Sequence, residues 1–191
     1  MPNLIYSQKI SITGVKSEQL SQELGFEVVD LERCDCALFL VSAKDGIVSA
    51  DLEKWRQARE LYIPSLVIIC DLLTSEIDFE DMTAIASKML DPVVTPYLVL
   101  HSDEGSPVAL INLETLQLID YSAGQRQDRP ADPEHIDLVA EFRAEYLEEV
   151  TAAGEESFAA GLLYPALPWV EGTRIGLDQI VDLLSQVPVA S

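Results

Sequence analysis

After an unbroken apolar run, Leu66-Val67-Ile68-Ile69, the chain reads Cys70-Asp71-Leu72-Leu73. Such a run is how a strand buried on both faces is written. Open α/β sheets keep their ligand chemistry at the carboxyl ends of such strands. The carboxylate of Asp71 suits that edge, because it can accept hydrogen bonds from a base or hold a cation. Two leucines can do neither. Other residues fit for chemistry are sparse. A phosphate-cradling loop, G-x-x-x-x-G-K-[ST], needs glycine-borne N–H groups around the phosphates. Gly14-Val15-Lys16-Ser17 lacks the second glycine and the spacing, and the stretch 172–176 has no lysine. Cys34-Asp35-Cys36 has no second ligand pair to complete a zinc site, and Cys36 opens an apolar run, so both thiols read as structural. His101 and His135 fall in different predicted elements without a nucleophile beside either. The acidic pairs Glu148-Glu149 and Glu155-Glu156 read as solvated helix faces, and nothing supports a glycosidase-type carboxylate pair. The residues predict no catalytic group, no metal site and no cofactor.

The elements that carry these residues alternate between strand and helix. Residues 8–14 form a first strand, with Ile10 and Ile12 alternating. A helix follows with Leu20 and Leu24 at helical spacing and Gly25 as its stop. Residues 27–31 are a short strand or a lead-in, and 36–43 a buried strand. Residues 49–61 read as a helix capped by Ser49, with Leu52, Trp55, Ala58 and Tyr62 on one face. Pro64 ends it before the strand that carries Cys70. A further helix places Phe79, Met82, Ile85, Ala86 and Met89 inward. The pattern implies a parallel sheet with right-handed crossovers. Then the grammar changes. Residues 97–121 show closely spaced short strands and turn clusters, a small antiparallel meander. A polar linker covers 122–134, and one helix then aligns Ile136, Val139, Phe142, Tyr146 and Val150. The chain returns to the sheet through 162–167 and ends in a helix burying Leu177, Ile180, Leu184 and Val187. The expected division is an α/β core from 1–91 and 162–191, with 92–161 as an inserted α+β subdomain.

Composition bounds the function. The 191 residues carry 33 acidic against 12 basic side chains, a formal charge of −21. That field repels phosphate backbones and anionic membrane surfaces, which disfavours direct nucleic-acid binding. No apolar run reaches the ~18 residues of a membrane span, and residues 1–14 lack the pattern of a signal peptide. Three cysteines without a disulfide framework point to a reducing cytoplasm.

The segment 34–73 resembles the GTPase domain of bacterial elongation factor G. The match rests on Asp35-Cys36-Ala37, Ala43, Gly46, Ile47-Val48, an identical Trp55-Arg56-Gln57-Ala58, and Ile63-Pro64. Similarity continues through 111–121 in the family's inserted subdomain, the helix at 138–160, and the last strand and helix at 162–191. It implies a three-layer α/β sandwich of the P-loop GTPase type, here without a P-loop. The family's guanine-reading N-K-x-D falls on Cys70, Asp71, Leu72 and Leu73, so Leu73 stands where a base-reading aspartate is required. Leu72 and Leu73 are expected to cover apolar neighbours of the lost base pocket. The S-A loop behind the base falls on Val170 and Glu171, where Glu171 adds charge in place of a backbone donor. The switch segment D-x-P-G-H matches 14–18 only loosely, and the phosphate loop and first switch have no counterpart. The resemblance thus implies a non-catalytic, nucleotide-free homologue that works through a protein partner, basic or ribosome-associated. The alternatives are a GTPase domain with a cryptic or incomplete nucleotide site, and domain I of a longer elongation factor G-like protein.

Overall fold

The computed structural model describes residues 8–189. The signal-peptide reading of residues 1–7 and the core assignment of 190–191 lie outside them. The first half of the chain is β1 (Lys9–Gly14), α1 (Ser17–Leu24), β2 (Glu27–Val28), β3 (Cys36–Ser42), α2 (Ser49–Glu60), β4 (Ser65–Cys70) and α3 (Phe79–Met89). With β9 (Ala166–Pro168) the strands form one parallel sheet in the order β2-β1-β3-β4-β9.

The central strands explain why their sequences read as continuous apolar runs. Successive side chains point to opposite faces, and here both faces are covered. Ala37, Phe39 and Val41 of β3 and Val67 and Ile69 of β4 pack beneath α2 and α3. Cys36, Leu38, Leu40, Leu66, Ile68 and Cys70 pack on α1 and on α6 (Leu177–Leu184). Helix, sheet and helix make the three layers expected. Gly14 lets β1 leave the sheet against its neighbour: φ is +110°, and an added Cβ would lie 2.3 Å from the Leu40 carbonyl oxygen.

The second sheet is a meander of β5 (Tyr97–His101), β6 (Pro107–Asn112), β7 (Gln117–Asp120) and β8 (Gln127–Pro130). One face contributes Val99, Leu110 and Ile119 to the core under α2 and α3. The other holds Leu98, Ile111 and Leu118 against Val139. β8 corrects the sequence reading, which places a linker there. All four of its residues are exposed, so no apolar alternation announces it, yet it pairs with β7 from Gln117↔Pro130 to Asp120↔Gln127.

Helices depart from expectation at their ends and outer faces. The single helix read after residue 134 is two, α4 (Pro133–Leu138) and α5 (Ala140–Ala153), with Val139 between them and buried. Phe142 is exposed, and α5 buries no residue fully. Ile85, Met89 and Tyr62 are exposed too, the last beyond the end of α2 at φ +53°. Ser49 is the first residue of α2 rather than its cap, which is Val48.

Trp55 behaves as the stripe predicts. It is 2% exposed, meets Phe39 edge-on at 5.0 Å and Tyr164 at 5.3 Å, and donates its indole N–H to Asp91 at 2.6 Å. The guanidinium of Arg59 lies 4.3 Å from its ring centroid and 3.9 Å from that of Tyr164. Trp55→Ala should therefore cost about 3–5 kcal/mol in urea unfolding, as large core truncations do. A loss under about 1 kcal/mol would mean that the ring does not hold α2 to the sheet.

Candidate functional site

The sheet order, counted along the chain with β9 as the fifth strand, is 2-1-3-4-5. In sheets of this order the ligand crevice opens between the carboxyl ends of strands one and three. Three loops meet there in this chain: the turn from β1 into α1, the end of β3 at Ser42, and the end of β4 at Asp71. The loop after β9 brings Val170 and Glu171 alongside.

The crevice is filled from within. The ammonium of Lys16 bonds to carboxylate oxygens of both Asp71 and Glu171. Glu171 also accepts the backbone N–H of Asp71 at 3.0 Å. The hydroxyl of Ser42, fully buried, donates to Asp71 at 2.6 Å and accepts the N–H groups of Lys44 and Asp45 at 3.2 and 3.0 Å. Lys16 and Asp71 both take left-handed backbone conformations, with φ of +58° and +62°, and so turn their side chains to one another across the edge.

The charges are mutually set. Burial works against a charged Lys16, but hydrogen bonds from its ammonium to Asp71 and Glu171 outweigh it and raise its pKa above the ordinary 10.5. Burial would favour a neutral Asp71, yet the hydrogen bonds from Lys16 and Ser42 hold its carboxyl below the ordinary 3.8. Desolvation pushes the Cys70 thiol up to about 12, and the charges of Asp71 and Glu171 push the same way. Donor atoms of Cys70, Asp71 and Glu171 lie within 4.8 Å of one another. A protonated thiol and two carboxylates already sharing an ammonium make a poor donor set for a metal.

The structure brings Cys70, Asp71, Val170 and Glu171 to one edge, while the two leucines diverge. Leu72 is half-buried against the core, but Leu73 is 55% exposed and covers nothing, contrary to expectation. It follows Asp71 in a surface turn whose Thr74 N–H returns to the Asp71 carbonyl. The role of Lys16 is the largest omission of the sequence reading. The segment matched loosely to a switch motif is the first strand-to-helix turn of the sheet, the position of a phosphate loop in such folds. Its lysine reaches carboxylates 55 and 155 residues away; only the sheet order brings them together. Cys36 is buried in β3, and His101 and His135 lie on β5 and α4, apart from this edge.

Lys16→Met should leave two facing carboxylates and lower stability at pH 7 by about 1 kcal/mol, less than for a fully buried pair because solvent reaches Lys16. The depressed pKa of Asp71 contributes stability above 3.8 that is lost as pH falls through its lower folded value. The raised pKa of Lys16 contributes at every pH below 10.5 and so adds no slope in the acid range. Urea midpoints of the two proteins should therefore converge below pH 3.8; a gap that stays constant to pH 2.5 (roughly the acid limit for Asp titration) would show that the pair is not what Lys16 supports.

No family model matches the chain. It is 25% identical over 180 residues to an elongation factor G-like protein of Mycobacterium tuberculosis (strain ATCC 25618 / H37Rv), covering 82% of this chain and 24% of that protein. The protein of the same name from strain CDC 1551 / Oshkosh matches to the same extent. The chain thus spans about a quarter of the length of the curated relatives it matches. The crystal structure of ttk003000868 from Thermus thermophilus superposes with a TM-score of 0.71 at 24% identity, over 83% of this chain and 27% of that one. That likeness is one of fold. Sequence and fold bear out the resemblance drawn from the residues: the chain is similar to elongation factor G-like proteins and carries the three-layer α/β fold that the resemblance implies.

Proposed function

We propose that the chain is a nucleotide-free, non-catalytic elongation factor G-like domain that works by holding a protein partner. The observation that supports this is the ammonium of Lys16 bound by Asp71 and Glu171 in the crevice where this sheet order places a ligand. A nucleotide there would meet two carboxylates with one shared counter-charge. It would also find Leu73 where the family reads guanine; a site built for hydrogen bonding loses about 10⁴–10⁵-fold when one side of the pair is missing. The formal charge of −21 favours a basic protein over bare RNA as the partner, and descent from a translation factor makes a ribosome-associated protein the first to try. Residues 1–91 and 162–191 serve as the core and 92–161 as an inserted subdomain. The cytoplasm is the compartment we assign, a reducing setting that suits free Cys34, Cys36 and Cys70. No helix among the described residues is long and apolar enough to cross a membrane.

One feature favours a second reading, a GTPase domain with an incomplete nucleotide site. Lys16-Ser17 opens α1 directly after β1, as the lysine and hydroxyl of a phosphate loop would. Titration calorimetry of the chain with GTP, GDP and ATP, with and without Mg²⁺, separates the two. No binding heat up to about 1 mM nucleotide is expected, a ceiling on affinity near −4 kcal/mol. A micromolar guanine-nucleotide affinity, abolished by Lys16→Met, would establish the second reading.

A further inference from the structure

The outer edge of β1 is open. β2 has two residues and pairs only Lys9↔Glu27 and Ile10↔Val28 before the chain turns away. In a parallel ladder alternate residues turn their N–H and C=O to opposite sides. Val29 donates its N–H to Ile10 at 2.8 Å, which places the even-numbered residues of β1 on the outer side. Ile12 therefore presents its N–H and C=O outward, and among the described residues no hydrogen bond reaches either. Unpaired strand groups of this kind are a template for an added strand.

The edge is also accessible. A groove of about 660 Å³ runs beside it, lined by Ser11 and Ile12, by Glu27 of β2, by Asp30, Glu32 and Arg33 beyond it, and by Lys54 of α2. Val28 is 46% exposed next to it. A second copy of the chain is a poor occupant, because pairing two β1 edges would bring together two bodies of −21 each. Glu27, Asp30 and Glu32 flank the groove, and all are exposed. These carboxylates outnumber Arg33 and Lys54 in the lining, and with the −21 of the whole chain that balance suits a cationic segment.

We propose that the open edge of β1, from Ile12 to Gly14, takes a basic, extended segment of a partner protein as an added strand. The N–H and C=O of Ile12 exchange hydrogen bonds with its backbone, and its lysines or arginines lie over Glu27 and Glu32. This rests on the reading above that a protein partner is what the chain meets, and it gives that partner a binding mode: main-chain pairing supplies affinity, and the acidic rim supplies selectivity. Phosphate backbones are repelled by the same rim.

The probe is a blocked hexapeptide of alternating lysine and valine, read by amide hydrogen exchange and chemical shift at Ile12 in the ¹⁵N-labelled chain. The Ile12 amide should exchange freely in the chain alone and slow by about tenfold or more at saturating peptide. The same peptide N-methylated on every second amide should give no protection, and an alternating glutamate–valine peptide should not bind. Glu27→Lys with Glu32→Lys should weaken the lysine–valine peptide by about tenfold while leaving the rest of the spectrum in place. Equal binding of the N-methylated peptide, or binding without protection at Ile12, would reduce the effect to surface charge and overturn the proposal. So would protection of Ile12 in the chain alone, whether independent of protein concentration (the edge covered by its own chain) or rising with it (a second copy). An unprotected Ile12 alongside a silent nucleotide titration overturns this edge and leaves the nucleotide-free reading standing, so the two failures are distinct.

Discussion

Parallel strands that end together leave a crevice at their carboxyl edge, and something must occupy or close it. In this chain a single ammonium does so. Lys16 sits in the left-handed region, at a cost of roughly 1–2 kcal/mol for a residue with a Cβ, and its contacts with Asp71 and Glu171 offset that cost. The turn it forms is short, so α1 starts at Ser17 directly above the sheet. From there Leu20 and Leu24 reach the cluster that includes Leu177, Ile180 and Leu184 of α6. The closing of the edge and the packing of that helical layer therefore depend on one turn.

The same edge is tied to the second sheet. Gly176, at φ +93°, passes so close to β9 that an added Cβ would lie 1.9 Å from the Pro168 carbonyl oxygen. Its N–H donates to the side chain of Gln179, fully buried in α6, and Gln179 in turn donates to the Tyr121 hydroxyl at 3.1 Å. Tyr121 follows β7 and shares the core beneath α2 and α3. The meander thus packs into the main core and is pinned to the loop that presents Glu171. A buried amide satisfied at both ends fixes geometry more than it adds stability.

What the sequence disclosed followed from burial. β3 and β4 are apolar on both faces, and α2 carries a stripe ending in Trp55 and Ala58, so their periods were plain. β8 was hidden because an exposed edge strand made of Gln127, Asp128, Arg129 and Pro130 owes its form to cross-strand pairing, which no local pattern records. The break at Val139 was hidden for the opposite reason: one buried valine satisfied a helical stripe whose other members are exposed, as Ile136 and Phe142 are, or only partly buried, as Tyr146 and Val150 are. At the candidate site Asp71 and Glu171 were legible as positions, but the link that Lys16 makes between them was not. Its partners are set by strand order, which lies beyond any local reading.

The segment Trp55-Arg56-Gln57-Ala58 shows how fold and chemistry separate in this chain. Trp55 and Ala58 are buried on the inner face of α2, where Phe39 and Tyr164 flank the Trp55 ring. Arg59, one residue on, is held between two rings and bonds the Ile63 carbonyl and the Ser65 hydroxyl at the start of β4. A substitution among these residues would be felt by the whole helix–sheet interface. The carboxyl edge is under no such packing constraint. Leu73 is exposed, and Asp71 and Glu171 are held by hydrogen bonds from Lys16, the Ser42 hydroxyl and the Asp71 N–H rather than by packing. A scaffold whose core is set by packing can therefore keep its layers while the residues at its rim vary.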